Sequence, residues 1–326
     1  MRFIIYGAGA VGGVIGGRLF QHGHDVVLIA RGDHLLAIQD RGLELQSPLD
    51  TVNLRIPAVA GPEKLTFGPG DVVVLAMKTQ DTLDALERLA VLAPPSLPIV
   101  CAQNGVENER MALRRFEHVY AMSVMLPGTH LEPGVVQANS APVSGILDTG
   151  CYPSGVDDLC TEFTAALEAS SFSAKPEPRI MRRKYTKLLL NLGNAVQAAL
   201  GDSPEGAEFS RRAREEAVAV YRAAGIDFAS DEEDRERRGT LMKIAPIAGQ
   251  RRGGGSSWQS LARGKRSIEA DYLNGEIVLL GRLHGVPTPV NEMLRQVANR
   301  MAREGLPAGS LTPADLEAEL KAVAAR

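Results

Sequence analysis

The sequence contains few cysteines and histidines, and their number and spacing limit the kinds of site that it can form. Its 326 residues include three cysteines, Cys101, Cys151 and Cys160, with no C-x-x-C pair among them. An odd and scattered set argues against a disulfide framework or a cysteine-ligated metal, so we expect reduced thiols. The six histidines are also scattered, and we expect no metal site.

Long apolar runs and a large excess of one charge are missing too. No run approaches the ~20 apolar residues of a membrane span, and no signal-peptide pattern precedes the first predicted strand. The net charge of −3 gives no reason to expect nucleic acid or an anionic membrane surface as a partner. With 44% apolar and 23% charged residues, the chain predicts a globular cytoplasmic protein that is long enough for two domains.

The most informative stretch is the turn Gly7-Ala8-Gly9-Ala10-Val11-Gly12. An apolar strand over 2–6 precedes it, a helix over 11–22 follows it, and a second apolar strand over 26–30 completes a βαβ unit. The G-x-G-x-x-G spacing suits a dinucleotide, because the first glycine allows the tight turn, the second admits the pyrophosphate and the third lets the helix pack on the strand. The alternative is a glycine-rich packing turn, which the complete βαβ context disfavours.

The residue after the second strand indicates which dinucleotide is bound. NAD sites usually carry Asp or Glu there for the ribose 2′-hydroxyl, whereas this chain has Arg31. Because a guanidinium pairs with a 2′-phosphate, the sequence favours NADP over NAD, with a solvated surface arginine as the alternative.

Two further apolar strands, predicted over 71–77 and 98–102, end in polar residues. The first delivers Lys78 and Gln80, and the second delivers Gln103 and Asn104. Ligands of open α/β sheets bind at the carboxyl ends of strands, so we expect these side chains near the nicotinamide half of the cofactor.

The pattern changes twice further along the chain. Short strands over 119–147, separated by Gly and Pro turns, predict an antiparallel extension of the sheet. The linker Lys175-Pro176-Glu177-Pro178 then marks a boundary between two domains, residues 1–177 and 178–326. Beyond it we predict helices only, the first over 179–200, and we interpret the mixed-charge run 231–238 as a solvated face.

The first helix of the second domain carries three polar residues on one stripe. Lys187, Asn191 and Asn194 stand at i, i+4 and i+7 among leucines. They either line a cleft or satisfy one another in the core, and the cleft is favoured because a lysine is seldom fully buried without a partner. In a cleft, the lysine would donate a proton to a nascent alkoxide.

A second candidate is the helix predicted over 267–284. Glu269, Tyr272 and Glu276 share one of its faces, and the pattern neither chooses between the two glutamates nor excludes a solvated acidic face. Upstream, Ser256 and Ser257 follow three glycines, where they either bind a substrate carboxylate or cap a helix.

Taken together, these motifs resemble those of the ketopantoate reductases (2-dehydropantoate 2-reductases) over essentially the whole chain. The features that carry the resemblance are G-A-G-A-V-G from Gly7, A-R-G around Arg31, A-M-K-T-Q ending at Gln80, Q-N-G-V from Gln103, K-L-L-L-N from Lys187 and S-x-E-x-D-Y-L-N-G from Ser267. The resemblance implies an α/β Rossmann-type domain followed by an all-helical domain like the C-terminal domain of 6-phosphogluconate dehydrogenase.

The resemblance also implies roles for individual residues. NADPH would be the cofactor, surrounded by Gly7, Ala8, Gly9, Ala10, Val11, Gly12, Arg31, Lys78, Gln80 and Asn104. Lys187 would be the general acid, and Glu269, rather than Glu276, would hold a substrate hydroxyl and help to set Lys187. The implied substrate-binding residues are Asn104, Lys187, Asn191, Asn194, Ser257 and Glu269.

The implied activity is the NADPH-dependent reduction of a 2-keto acid, 2-dehydropantoate first, in pantothenate and coenzyme A biosynthesis. An NADP-dependent dehydrogenase of another hydroxy acid and a non-catalytic NADP-binding sensor are the alternatives. Ala195 and Gly254 stand where the family pattern has substrate-side asparagines, so the identity of the keto acid stays open. A homodimer is a further expectation.

Overall fold

The computed structural model describes residues 1–250 and 252–325. The strands are β1 (Arg2–Tyr6), β2 (Asp25–Ile29), β3 (Leu43–Gln46), β4 (Thr51–Leu54), β5 (Ala58–Val59), β6 (Asp71–Leu75), β7 (Ile99–Cys101), β8 (Val119–Met125), β9 (Gly128–Thr129), β10 (Val135–Ala138), β11 (Ser140–Pro142), β12 (Ile146–Cys151) and β13 (Met242–Ile244). The α-helices are α1 (Ala10–Gln21), α2 (Gly32–Arg41), α3 (Thr82–Leu92), α4 (Asn108–Leu113), α5 (Asp158–Glu168), α6 (Ile180–Asn191), α7 (Gly193–Leu200), α8 (Gly206–Ala224), α9 (Asp231–Arg238), α10 (Ser256–Ala262), α11 (Asn274–His284), α12 (Pro289–Glu304) and α13 (Pro313–Ala324).

The chain divides into two compact units. One consists of Met1–Lys184 and Ser230–Arg252, and the other of Tyr185–Ala229 and Gly253–Arg326. The division therefore differs from the single predicted boundary after residue 177, since the first unit continues into α6 and also takes in residues 230–252. Within this unit, Arg237 of α9 forms an ion pair of 2.5 Å with the buried carboxylate of Asp148. The prediction that residues 231–238 are a solvated face is thus correct only in part: four of the residues are exposed, but the guanidinium of Arg237 anchors the run to β12.

The first unit is built on a seven-stranded sheet with the order β12-β8-β7-β6-β1-β2-β5. Successive residues of each central strand alternate between two apolar cores: Phe3 and Ile5 of β1 lie in one core, and Ile4 and Tyr6 in the other. This burial on both faces confirms the predicted Rossmann-type arrangement, in which β1, β2, β6 and β7 run parallel.

The strands predicted as an antiparallel extension are distributed differently. β8 is parallel to β7, and β12 then pairs antiparallel with β8. β10 joins β3, β4 and β9 in a second sheet, and β11 pairs with β13, a strand in the region predicted to be all helical. Apolar patterning indicates that a strand exists and which of its faces is buried, but it does not identify the neighbouring strand.

The second unit is helical, with two departures from the predicted helices. The helix predicted over 179–200 is interrupted at Leu192, which separates α6 from α7. The helix predicted over 267–284 is a short 3₁₀ turn, Glu269–Tyr272, followed by α11, because Leu273 leaves helical geometry with φ −112° and ψ −88°. Among the described residues, no helix is both long enough and apolar enough to cross a membrane.

Candidate active site

The carboxyl ends of three central strands lie side by side in the first unit. Tyr6 of β1 pairs with Leu75 of β6, and Leu75 pairs with Cys101 of β7. The glycine turn, the segment from Lys78 and the loop from Gln103 therefore leave the same edge of the sheet, as predicted from the strand pattern.

The turn between β1 and α1 has the geometry of a dinucleotide-binding turn. Gly7 has a φ of +105°, and a Cβ built on it would lie 2.8 Å from the Met77 nitrogen. A Cβ on Gly12 would overlap the Gly7 carbonyl oxygen, whereas a Cβ on Gly9 would meet nothing nearer than a His130 ring carbon at 4.0 Å. Packing therefore demands the first and third glycines, while the space beside the second is open to a ligand at the N-terminus of α1.

His34 supports this turn, although a lone histidine in a helical pattern carries no signal of such a role. Its Nδ1 accepts from the Gly134 N–H over 2.9 Å, which places the proton on Nε2. Nε2–H then donates to the Ala8 carbonyl oxygen over 2.7 Å. The imidazole thereby ties the turn to the segment before β10.

Arg31 directly precedes α2, and its side chain is 84% exposed. Its Nη2 donates to Asp81 Oδ2 over 3.1 Å. Lys78 and Gln80, both half-buried, lie in the segment that ends at Asp81. The structure thus brings the predicted 2′-phosphate ligand to the segment that carries Lys78 and Gln80, and it adds a carboxylate that was not predicted.

The loop after β7 is fixed by buried hydrogen bonds. Gln103 Nε2 donates to Thr82 Oγ1 over 2.7 Å and to the Met77 carbonyl oxygen over 3.0 Å. Asn108 Nδ2 donates to the backbone carbonyl oxygen of Asn104 over 3.1 Å. These bonds hold the backbone of Asn104, but its side-chain Oδ1 is buried with no partner among the described residues. Since buried amide oxygens are normally satisfied, this atom fits the predicted cofactor or substrate contact.

A buried ion pair supports the same loop. Lys184 Nζ lies 2.5 Å from Glu109 Oε1, and the two side chains are 2% and 0% exposed. The same Nζ donates to the Gln103 carbonyl oxygen over 3.0 Å. A lysine and a glutamate so far apart in the sequence form no local pattern, so neither residue was predicted.

In the second unit, Lys187 and Asn191 stand one turn apart near the end of α6. Lys187 is half-buried, whereas Asn191 is buried and its Oδ1 has no partner among the described residues. Asn194 lies beyond the interruption, in α7, and its Nδ2 donates to Ser256 Oγ over 3.5 Å. The predicted stripe is therefore broken after Asn191.

Glu269 and Ser257 are both buried. Glu269 opens the 3₁₀ turn, and Ser257 lies in the first turn of α10. Asn274 donates to the Leu192 carbonyl oxygen over 3.3 Å, which docks the segment after Glu269 at the α6–α7 junction. Glu276 is buried as well, so the alternative of a solvated acidic face is wrong, and burial alone does not choose between the two glutamates.

The three glycines before α10 are held by a tryptophan and a glutamine. A Cβ on Gly254 would lie 2.6 Å from the Trp258 ring, and one on Gly253 would lie 2.8 Å from it. Gln197 Oε1 accepts from the Gly255 N–H over 2.8 Å. Position 254, where the ketopantoate reductase pattern has an asparagine, is thus a glycine for a packing reason, because a side chain there would displace the indole.

The three cysteines are free thiols. Burial raises the pKa of Cys101 well above its usual value and raises that of Cys160 to about 12. Because the thiolate is the reactive form, these two groups are unreactive near neutral pH. In the described part of the chain, no group of His, Cys, Asp and Glu side chains is arranged to hold a metal ion.

Known proteins resemble the chain over nearly its whole length. The protein-family model described as "Ketopantoate reductase PanE/ApbA" matches residues 3–153, and the model of that family's C-terminal domain matches residues 179–302. The 2-dehydropantoate 2-reductase of Pyrococcus horikoshii is 28% identical, over 95% of this chain and 100% of that protein.

Solved structures give the same picture. A PanE/ApbA family ketopantoate reductase from Ralstonia eutropha JMP134 superimposes with a TM-score of 0.78 at 29% identity, covering 94% of this chain and 99% of that one. A D-mandelate dehydrogenase solved with NADH and anilino(oxo)acetate has a TM-score of 0.80 over 94% of this chain and 100% of that one, but at 22% identity it shows a shared fold only. Because the two family models together match most of the sequence, the chain belongs to the ketopantoate reductase family.

Proposed function

We propose that this protein uses NADPH to reduce 2-dehydropantoate, a branched 2-keto acid, to pantoate. The observation that carries the proposal is that a buried amide oxygen in each unit, Asn104 Oδ1 in the first and Asn191 Oδ1 in the second, has no partner in the described part of the chain. Both lie in segments that carry the family motifs, and buried polar atoms of this kind suit a polar ligand.

The first unit fits a phosphorylated dinucleotide. The open space beside Gly9 and the N–H groups at the start of α1 suit a diphosphate. The exposed guanidinium of Arg31 suits a 2′-phosphate. We assign Asn104 to the nicotinamide side, and Lys78 and Gln80, whose segment ends at the Asp81 partner of Arg31, to the 2′-phosphate side. When bound, NADPH supplies a hydride to the keto carbon of the substrate.

We assign Lys187 the role of proton donor. As the keto carbon becomes tetrahedral, its oxygen takes the carbonyl electron pair, and the Lys187 ammonium protonates that oxygen to give the 2-hydroxy acid. Until the proton moves, the positive charge stabilises the developing alkoxide.

Three of the other predicted residues bind and orient the substrate, and the fourth supports the site. The buried carboxylate of Glu269 accepts a hydrogen bond from the primary hydroxyl of 2-dehydropantoate and helps to orient Lys187. Asn191 orients the keto acid, and the Ser257 hydroxyl donates to its carboxylate. Asn194 holds the start of α10 through Ser256.

A 2-keto acid with an apolar side chain is the second candidate substrate. The packing of Trp258 on Gly253 and Gly254 favours it, because the indole presents apolar surface where an asparagine would present an amide. The structurally similar D-mandelate dehydrogenase was solved with anilino(oxo)acetate, which carries an aryl group.

The experiment is a comparison of keto acids under NADPH oxidation. 2-Dehydropantoate, 2-oxoisovalerate (the same branched acid without the hydroxymethyl group) and phenylglyoxylate are each tested with wild type and Glu269→Gln. We expect 2-dehydropantoate to be preferred over 2-oxoisovalerate by about 10⁴-fold, as in sites that hydrogen-bond a substrate hydroxyl, and Glu269→Gln to narrow that ratio. A preference for phenylglyoxylate would establish the second candidate instead. NADPH binding with no turnover of any keto acid would favour the alternative of a non-catalytic NADP-binding sensor.

The cytoplasmic location and the homodimer stay predictions. Sedimentation equilibrium of the purified protein measures the second directly, and a mass of 34.9 kDa per particle would contradict it.

A further inference from the structure

Arg252 carries a largely buried guanidinium that has no acidic partner among the described residues. Its Nε is shielded from solvent and makes no hydrogen bond within residues 1–250 and 252–325. The hydrogen bond that it does make is long, 3.4 Å from Nη2 to the Gly128 carbonyl oxygen. Burial lowers the pKa of Arg252, and no neighbouring carboxylate of the described chain offsets that cost.

Other buried arginines in the same unit are paired. Arg18 binds Asp50 at 2.9 Å, and Arg237 binds Asp148 at 2.5 Å. A buried charge is costly unless it is paired and hydrogen-bonded, so an unpaired guanidinium suits an anion that arrives with a ligand.

Arg263 in the second unit is also desolvated, and it has no carboxylate partner in the part of the chain that the structure describes. Its guanidinium lies at the C-terminal end of α10, where Nε donates to the Gln259 carbonyl oxygen over 3.4 Å. The helix dipole already favours a cation at that end, so Arg263 needs no ligand anion.

The position of Arg252 identifies the anion. Its acceptor, Gly128, packs against the first residue of α1, since a Cβ on Gly128 would lie 2.8 Å from the Ala10 carbonyl oxygen. The same strand, β9, leads into His130, the nearest side chain to the open space beside Gly9. The unpaired cation therefore neighbours the N-terminus of α1, where helix geometry already favours negative charge.

We propose that Arg252 binds paired anionic oxygens at the N-terminus of α1, and that these belong to the diphosphate of the dinucleotide. This assignment rests on the proposed NADPH site and adds a cationic ligand from a segment outside the βαβ unit. A guanidinium binds two oxygens at once through its fork of N–H donors. The carboxylate of the keto acid is the other source of such oxygens.

The test separates the two sources by direct binding. NADPH and adenosine 2′-monophosphate, which lacks the diphosphate, are titrated by calorimetry without keto acid into wild type, Arg252→Met, Arg252→Lys and Arg41→Met. Arg41 is the matched control, because it is an exposed guanidinium of the same unit that donates to a carbonyl oxygen, that of Pro133. The KM for 2-dehydropantoate is measured in parallel.

We expect Arg252→Met to weaken NADPH binding on the order of tenfold or more, Arg252→Lys to weaken it less, and Arg41→Met to leave it unchanged. Binding of adenosine 2′-monophosphate should be unchanged in all variants. A raised KM for the keto acid with unchanged NADPH affinity would overturn the diphosphate assignment in favour of the carboxylate. If Arg252→Met changed neither the NADPH affinity nor the KM for 2-dehydropantoate, the anion site would be overturned. Equal weakening of NADPH and adenosine 2′-monophosphate binding would also overturn it. Because nucleotide binding is measured without turnover, a failure of the proposed reaction would be distinguishable.

Discussion

Lys184 and Glu109 form an ion pair that is sealed from solvent, with Nζ 2.5 Å from Oε1. The second carboxylate oxygen of Glu109 has no partner within the described chain, and the second bond of the lysine goes to the Gln103 carbonyl oxygen. The pair therefore supports the loop that carries Asn104. A buried pair of this kind stabilises the fold only while both members are present.

Removing the lysine alone should be costly. We expect Lys184→Met to lower the free energy of unfolding by about 3–5 kcal/mol, because it leaves Glu109 charged and buried. The double variant Lys184→Met with Glu109→Leu should recover most of that loss, since an apolar pair needs no counter-charge. Urea unfolding of the three proteins measures both effects. A single variant as stable as wild type would contradict the buried pair.

Alanine substitutions at Asn104 and Asn108 should distinguish an effect on activity from an effect on stability. Asn104→Ala removes an Oδ1 that has no partner in the described structure, so we expect the free energy of unfolding to change by about 0.5 kcal/mol or less. Its kcat/KM should fall at least about tenfold.

Asn108→Ala is the matched comparison. Its buried amide donates to the Asn104 carbonyl oxygen and accepts from Thr82 Oγ1, so the substitution should cost about 1–3 kcal/mol of stability. Equal loss of stability in the two variants would refute the distinction.

Arg31 should decide between cofactors without affecting the fold. Its ion pair with Asp81 is exposed, and exposed pairs contribute about 0–1 kcal/mol. We expect Arg31→Glu to lower the ratio of kcat/KM for NADPH to that for NADH by about tenfold or more, with an unchanged Tm. Asp81→Asn keeps the guanidinium and should retain the NADPH preference. An unchanged ratio in Arg31→Glu would remove Arg31 from the site.

The contact between Arg18 and Asp50 should appear as a pH dependence of stability. Two hydrogen bonds from Arg18, of 2.9 Å and 3.0 Å, hold the pKa of Asp50 well below its usual value. A carboxylate whose pKa is lower in the folded than in the unfolded state stabilises the fold above its unfolded pKa, and this contribution is lost as the pH falls through the folded pKa. We expect the gap in unfolding free energy between wild type and Asp50→Asn to be constant down to about pH 5 and to shrink below about pH 4. Asp40→Asn, at an exposed position, is the control.

Local chemistry explains which parts of the site were predictable. The glycine turn, Arg31, and the polar ends of β6 and β7 lie within single strand–loop–helix segments, whose spacing carries the signal. Lys187 and Asn191 could be placed together for the same reason, as neighbours one turn apart on α6.

The unpredicted features depend on pairs that are distant in sequence. His34 meets Gly134, Lys184 meets Glu109, and Arg252 approaches Gly128, and no local periodicity records such encounters. The sequence pattern also could not predict that β10 pairs with β3, or that residues 230–252 belong to the first unit, because both depend on contacts between distant segments.

The most direct test measures NADPH oxidation with 2-dehydropantoate for wild type and Lys187→Ala, alongside the affinity of each protein for NADPH. We predict turnover by wild type and a loss of about 10²–10⁴-fold in kcat for Lys187→Ala, the range expected for a general acid. NADPH affinity should be the same for both proteins. Turnover retained by Lys187→Ala, or a wild type that binds NADPH but leaves 2-dehydropantoate unreduced, would contradict the account.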